Sequence, residues 1–220
     1  MPVLAATATY SSFYIQSNAV YLTAHDAVNA GTTYAGTASI DVGQYEGNGS
    51  YDVHRGGLFF NTSSIPSDAA IVSATLSLYD DGDFSQVDFN LTIVNGSALS
   101  NPAVAADYGA LLAATASAGS KNTSTWALAA YNDITLNATG LGYITKAGTT
   151  KLALRSSREI SSSVPASTTD EFVLFIGAST ANPAKLTISY ASKGNLFVKA
   201  ENLHYVSDTG VERYIPGIAV

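Results

Sequence analysis

The sequence predicts an all-β protein: an antiparallel jelly-roll β-sandwich with one or two short helices and a small C-terminal β-hairpin extension. Three observations predict it. Short apolar segments rich in β-branched and aromatic residues recur along the chain in period-two alternation. Asp-Gly and Asn-Gly pairs stand between them, at 82 and 49, where tight reversals need positive φ. About ten such strands with few helical connectors suit two packed antiparallel layers.

Taken in order, residues 1–18 form an N-terminal strand that can stand off as an arm. Strands follow at "AVYLTA" (19–24), "ASIDVG" (38–43), "GGLFFN" (56–61), "IVSATLSLY" (71–79) and "VDFNLTIV" (87–94). In the fourth of these, Leu76 and Leu78 share one face while Thr75 and Ser77 take the other, which makes one face inner and one wet. "GNGS" and "DDGD" read as reversals. "GGLFF" and "IVSATLSLY" read as adjacent core strands joined by a crossing at 64–67, where Pro66 lacks the N–H a ladder needs. The Ala-rich "NPAVAADYGALLAATA" and "LNATGLGYITKAG", the latter with Asn137 as N-cap, read as the short helices. "STWALA", "YNDITL", "TKLALRS", "EFVLFIG" and "KLTISYA" complete the body at 191. Residues 192–220 hold six of the chain's 27 charges and alternate more cleanly, as a strand followed by a hairpin over Asp208, Thr209 and Gly210. This segment reads as a docking or oligomerisation module, with Leu203, His204, Tyr205 and Tyr214 as its assembly residues.

With 220 residues the chain can bury a substantial core, and the absence of cysteine removes disulfide frameworks and thiolate metal sites. Only 12% of residues are charged, with Ala, Ser, Thr and Gly filling the difference, a composition closer to extracellular β-proteins, fibres and capsid components than to cytosolic enzymes. A net charge of −7 without a basic run argues against nucleic acid as a partner. The start of the chain lacks the charged region of a signal peptide. No window approaches the ~18 consecutive apolar residues of a transmembrane helix, so membrane insertion is not expected.

Histidines 25, 54 and 204 fall in separate segments, and neither Gly-x-Ser-x-Gly nor His-Glu-x-x-His occurs. No carboxylate pair is marked by spacing for glycoside hydrolysis, the candidates being Asp26, Asp41, Glu46, Asp52 and the run at 80–83. Asp80, Asp81 and Asp83 are candidates for a structural calcium, with Asp88 or Asp41 to complete it, against the simpler reading of an acidic turn. Tyr45, Tyr51, His54 and Arg55 lie around a Gly-rich loop and are the candidate glycan site, because sugar rings stack on aromatic faces while polar neighbours bond the hydroxyls. The single tryptophan, Trp126, reads as core. Arg55, Arg155 and Arg158 border apolar strands, either paired with Glu159, Asp133 or a loop carboxylate or, for Arg55, facing a ligand. Asn-x-Ser/Thr triplets begin at 48, 61, 90, 95, 122 and 137 and matter only where the producing cell glycosylates.

The run "RGGLFFNTSSIPSDAAIVSATLSLY", with "NAGTTYAGTASIDVG" before it and "TKLALRSSRE" and "NPAKLTISY" after, resembles DNRLRE-type modules, jelly-roll sandwiches akin to carbohydrate-binding modules. The likeness covers about residues 19–191, with Asp26 standing where the family opens on an aspartate. It implies the fold and, more weakly, glycan binding. The tail "GNLFVKAENLHYVSDTGVERYIPG" resembles the β-hairpin endings of phage structural proteins. Together they lead to the expectation of a non-enzymatic phage or virus structural protein, a virion decoration or tail-fibre component, at the virion surface or otherwise extracellular. Its partners would be copies of itself or other virion proteins, and host-surface glycans. A secreted or cell-surface carbohydrate-binding module is the alternative, and a small polysaccharide lyase or hydrolase the third. No cofactor is expected beyond the structural calcium.

Overall fold

The computed structural model describes residues 1–179 and 181–192, and beyond them the backbone of three strands, Asn195–Lys199, Asn202–Val206 and Glu212–Ala219. The chain is an all-β, antiparallel sandwich of the jelly-roll kind. Its body is built from β1 (Val3–Asn18), β2 (Thr32–Ala35), β3 (Ser39–Gly47), β4 (Ser50–Asn61), β5 (Ala70–Ser85), β6 (Asn90–Asn95), β7 (Gly119–Asn122), β8 (Tyr131–Thr135), β9 (Thr149–Ser156), β10 (Asp170–Ile176) and β11 (Lys185–Ala191). These hydrogen-bond in the order β2-β1-β11-β5-β10-β3-β4-β9-β6-β7, with β8 on β5. A further pairing of β1 with β4 returns the path to its start, so six strands close on themselves. Closure leaves only short edges at β2, β7 and β8 in the body, which limits unwanted strand pairing.

Two strands of 16 residues make this closure possible by bending. The first part of β1 pairs with β11 from Val3 to Thr7, and after a register shift at Thr9 the rest runs along β4 to Asn18. Thus the N-terminal strand is no arm; it is held from both layers. The second is β5, which pairs first with β11 and then with β10, with a register shift at Asp81. Here the sequence reading needs correction: "DDGD" is a β-bulge inside a continuous strand and not a reversal. Gly82 supplies the φ of +153° that the bulge needs. By contrast Asn48 and Gly49, at φ 54° and 76°, form the two-residue reversal expected between β3 and β4.

Nor are "GGLFF" and "IVSATLSLY" neighbours. Strand β4 lies against β1, β3 and β9, whereas β5 lies against β8, β10 and β11, so the 64–67 segment carries the chain from one group of strands to the other. Ile65, fully buried in that crossing, anchors it in the core.

Helical content is confined to short connectors. Tyr21–His25 is helix α1 and not the strand read from "AVYLTA". The long Ala-rich stretch yields only α2 (Asp107–Ala110), and "STWALA" yields a single 3-10 turn at Thr123–Thr125. Asn137 caps α3 (Ala138–Leu141) as expected, its Oδ1 accepting from the Gly140 N–H at 3.0 Å. Helix α4 (Ser157–Ile160) follows β9 directly.

The main core gathers Ile40, Val42, Leu58, Phe60, Leu76, Leu78, Leu91, Ile93, Leu152, Leu154, Val173 and Phe175 between the layers, with Trp126 at its margin as expected. A second core lies on the outer face of the β1–β4–β9–β6 layer, where Tyr14, Val53, Phe59, Val94 and Ala153 meet Tyr21, Tyr108 and Leu111 from the connectors. Strands β4 and β9 are therefore buried on both faces, which explains why "GGLFF" and "LALR" read as unbroken apolar runs. Gly56 and Gly57 serve this double burial. A Cβ on Gly56 would come within 2.8 Å of Ile40 Cγ2, and one on Gly57 within 2.7 Å of Leu99 Cδ1.

Beyond the body, β12 (Asn195–Lys199), β13 (Asn202–Val206) and β14 (Glu212–Ala219) form their own antiparallel sheet in that order. The side chains of Leu203, His204, Tyr205 and Tyr214, and the reversal at 208–210, lie outside the described residues.

Gly56→Ala drives a methyl into the main core and is expected to lower stability by ~1–3 kcal/mol in urea denaturation. Phe60→Ala is expected to lower it by ~3–5 kcal/mol through loss of burial plus cavity formation. A Gly56→Ala chain as stable as the parent would show that the layers are not in tight contact there.

Candidate functional site

The densest chemistry in the body surrounds Glu159. Strand β9 delivers Arg155 to the outer face, and Ser156, whose Oγ accepts from the Arg158 N–H, caps α4 so that the chain turns back at once. That turn brings Glu159 over Arg155. The Arg155 Nε donates to Glu159 Oε2 at 2.7 Å and its Nη2 to Oε1 at 2.6 Å, a two-pronged pairing. From β4, Arg55 donates to the same Oε1 through Nε at 3.0 Å and Nη2 at 2.6 Å. All three side chains are within 1% of full burial.

The remaining guanidinium donors hold backbone. Arg55 reaches the Tyr108 carbonyl at 2.6 Å and the His25 carbonyl at 2.9 Å, and its Cζ sits 4.0 Å above the Tyr108 ring. Arg155 Nη1 reaches the carbonyls of Leu111, Leu112 and Ala114. His25 joins from α1, its Nε2 lying 2.9 Å from the Glu159 carbonyl and its Nδ1 on Asp26. Burial pushes the Glu159 carboxyl up, but the His25 bond and the two guanidiniums outweigh it and hold it well below the usual carboxylate range. Glu159 and Asp26 raise the His25 imidazole above 6.5 against the effect of burial.

Arg55 therefore does not face a ligand; it is a structural ion pair tying the connectors to the sheet. The rest of the 44–55 glycan constellation also comes apart, and strand alternation is the reason. Tyr45 pairs with Asp52 and Glu46 with Tyr51, so Tyr45 and His54 point to one face while Tyr51 and Arg55 point to the other. Tyr51 packs edge-on against Tyr21 at 5.7 Å beside the second core. Tyr45 is half-buried and lies across Gly47. His54 is buried with its ring stacked on Phe172 at 5.8 Å, which stacks in turn on Phe84 at 5.1 Å.

The acidic run is likewise divided. Asp80 accepts from Trp126 Nε1 at 2.9 Å, from the Gly82 N–H and from the Ala129 N–H. Asp83 accepts from the Ser85 N–H and hydroxyl, and Asp81 sits at the bulge. Asp88 accepts from Thr123. Among the described residues no three His, Asp or Glu side chains are gathered at metal-binding distance. Sequence reasoning missed Glu171, a fully buried carboxylate that receives Arg158 Nε at 2.6 Å and Gln44 Nε2 at 2.6 Å. Its signal was an acid heading the apolar strand "EFVLFI" with Arg158 nearby. It also missed Asp107, which takes the Tyr14 hydroxyl at 2.9 Å and the N–H groups of Ser100 and Val104.

Glu159→Gln leaves two guanidiniums buried without their counter-charge and is expected to cost ~3–5 kcal/mol in urea denaturation. The pH dependence has two parts of opposite sign. Because the folded Glu159 is depressed, its contribution is present above the ordinary carboxylate range and is lost as pH falls below 4.5. Because the folded His25 is raised, its contribution is complete below 6.5 and is lost as pH climbs through the raised value. A His25→Gln chain is expected to lose the alkaline decline and keep the acid one, as read by thermal midpoints across pH. No protein-family model matches this chain and no curated protein does, so the cluster's meaning rests on its geometry.

Proposed function

We propose that the protein is a non-enzymatic structural component of a virion surface, a decoration or tail-fibre piece, in which the sandwich is displayed and the C-terminal sheet assembles. The observation that carries this reading is that, among the described residues, β12, β13 and β14 pair with one another in a sheet of their own, separate from the eleven-stranded body sheet. Strands of five, five and eight residues stand at the three-strand lower limit for a sheet that is stable alone. Such a sheet is completed by copies of itself, through the edges of β12 and β14 or through its faces. The body suits display: it is closed, and its polar cluster is buried beneath the connectors. Few charges and many hydroxyls cover its surface, and the net charge is −7. The resemblance of the body to DNRLRE-type modules and of the tail to phage structural proteins points the same way.

One observation favours the carbohydrate-binding reading as second. Phe84 is 47% exposed beside a groove of about 320 Å³ lined by Asp83, Ser85, Gln86 and Asp170. A fixed aromatic face beside carboxylates and an amide is what a sugar ring stacks on, and it lies on β5 and β10, where Asp170 pairs with Tyr45 of β3.

Light scattering is expected to show the full chain as a trimer or larger assembly, and a chain ending at Ser192 as a monomer that keeps the body's cooperative thermal transition. A full chain that stays monomeric at high concentration refutes the assembly reading. On a glycan array, a binding signal abolished by Phe84→Ala with the thermal midpoint retained would place the second reading first.

A further inference from the structure

We infer that the Phe84 groove takes a cationic amino sugar, a glucosamine-type unit of a de-N-acetylated glycan, with its ring on Phe84 and its ammonium between Asp170 and Asp83. This rests on the carbohydrate-binding reading and names the sugar class for that same site. The aromatic face is rigid. Phe84 stacks on Phe172 across β5 and β10, with centroids 5.1 Å apart and planes 19° from parallel, and Phe172 stacks in turn on the buried His54 ring at 5.8 Å. The Phe84 ring also lies over Gly82, where a Cβ would come within 2.7 Å of it. Glycine at 82 thus serves both the bulge and the seat of the ring. Held in this way, a side chain 47% exposed offers a flat apolar face and has little rotamer freedom to lose on binding.

Charge selects among sugars. The groove, about 320 Å³ and so in the size range of small-molecule sites, has Asp83 and Asp170 in its walls with Ser85 and Gln86. Among the described residues neither carboxylate is paired with a Lys, Arg or His. Asp83 is bonded through Oδ1 to the Ser85 N–H and hydroxyl, and its Oδ2 has no partner among those residues. The excess of acid extends beyond the groove: β3, β5 and β10 carry two, three and two carboxylates and no Lys or Arg. Among the described residues the one guanidinium bonded to these strands, that of Arg158, is taken by the buried Glu171. A neutral sugar pressed onto Phe84 would desolvate the two carboxylates without compensation, and an acidic sugar would be repelled. A ring bearing an ammonium meets both demands, while Ser85 and Gln86 remain to bond its hydroxyls. A lysine side chain would bring the charge but no flat ring for Phe84.

The full chain is titrated calorimetrically at low ionic strength with a glucosamine oligomer, its N-acetylated counterpart and a neutral β-1,4-glucan oligomer. The glucosamine oligomer is expected to bind at least about fivefold more tightly than either of the others. Asp170→Asn is expected to erase that margin, and Phe84→Ala to abolish binding with the thermal midpoint retained. Equal affinity for the three oligomers, all lost in Phe84→Ala, overturns the amino-sugar inference and leaves the carbohydrate-binding reading standing. Binding of none of them overturns both. Oligolysine bound as tightly as the glucosamine oligomer, with Phe84→Ala without effect, assigns the face to a cationic peptide and likewise overturns the inference.

Discussion

The structure depends on one carboxylate. Glu159 sits fully buried where strand β9, helix α4, strand β4 and helix α1 converge, and both oxygens are taken by guanidinium donors. Without it, two buried cations would face each other on adjacent strands, since β4 and β9 pair directly. With it, each arginine has donors left over, and these go to carbonyls of residues 25, 108, 111, 112 and 114. The connection over the outer face is held within itself by short-range turn bonds and a four-residue helical turn. The two forks tie it to the sheet. They turn an irregular segment into a fixed lid over Tyr14, Val53 and Phe59, and so create the second core.

Closure of the sandwich imposes the complementary constraint. A ring of six strands can be closed only if some strands serve both layers, and β1 and β5 do so by bulging at Thr9 and Asp81. One bulge needs a glycine beside it, the other does not. Gly82 answers the first need, and its acidic neighbours fall on different partners because a bulge changes which face each residue presents. That is why three carboxylates within four positions do not make one site.

Much of this was legible. Period-two alternation located β3, β6 and β8 to β11 to within a few residues, and found the cores of β4 and β5 while missing the first six residues of β4 and the last six of β5. The Asn-Gly reversal and the Asn137 cap were readable because their chemistry is local. What alternation cannot carry is long-range pairing. Asp-Gly serves a reversal and a bulge equally well, and only the continuation of the β5 ladder on β10 decides between them. Likewise "VYLTA" has strand composition, but Tyr21, Ala24 and His25 are needed on one helical face above the sheet, and tertiary contact overrides propensity. For the glycan constellation, proximity in sequence was mistaken for proximity in space. Tyr45, Tyr51, His54 and Arg55 flank one two-residue turn, and the same alternation that identified the strands separates them into two faces.

Why the second core should be held by charges at all follows from what each kind of contact specifies. Replacing a buried ion cluster by apolar side chains of like volume is often neutral or stabilising, so stability alone does not account for Arg55, Arg155 and Glu159. Apolar packing would cover the outer face in many arrangements of a loop built largely from alanine, whose small side chains interdigitate weakly. Guanidinium forks aimed at named carbonyls accept one arrangement only, since any slip leaves a buried charge without its donors matched. The cluster thus trades stability that hydrophobes would provide for a single conformation of the surface above β4 and β9. Under the display reading proposed above, uniform shape is the property such a fixed surface would serve, and the buried Arg55–Glu159–Arg155 cluster secures it.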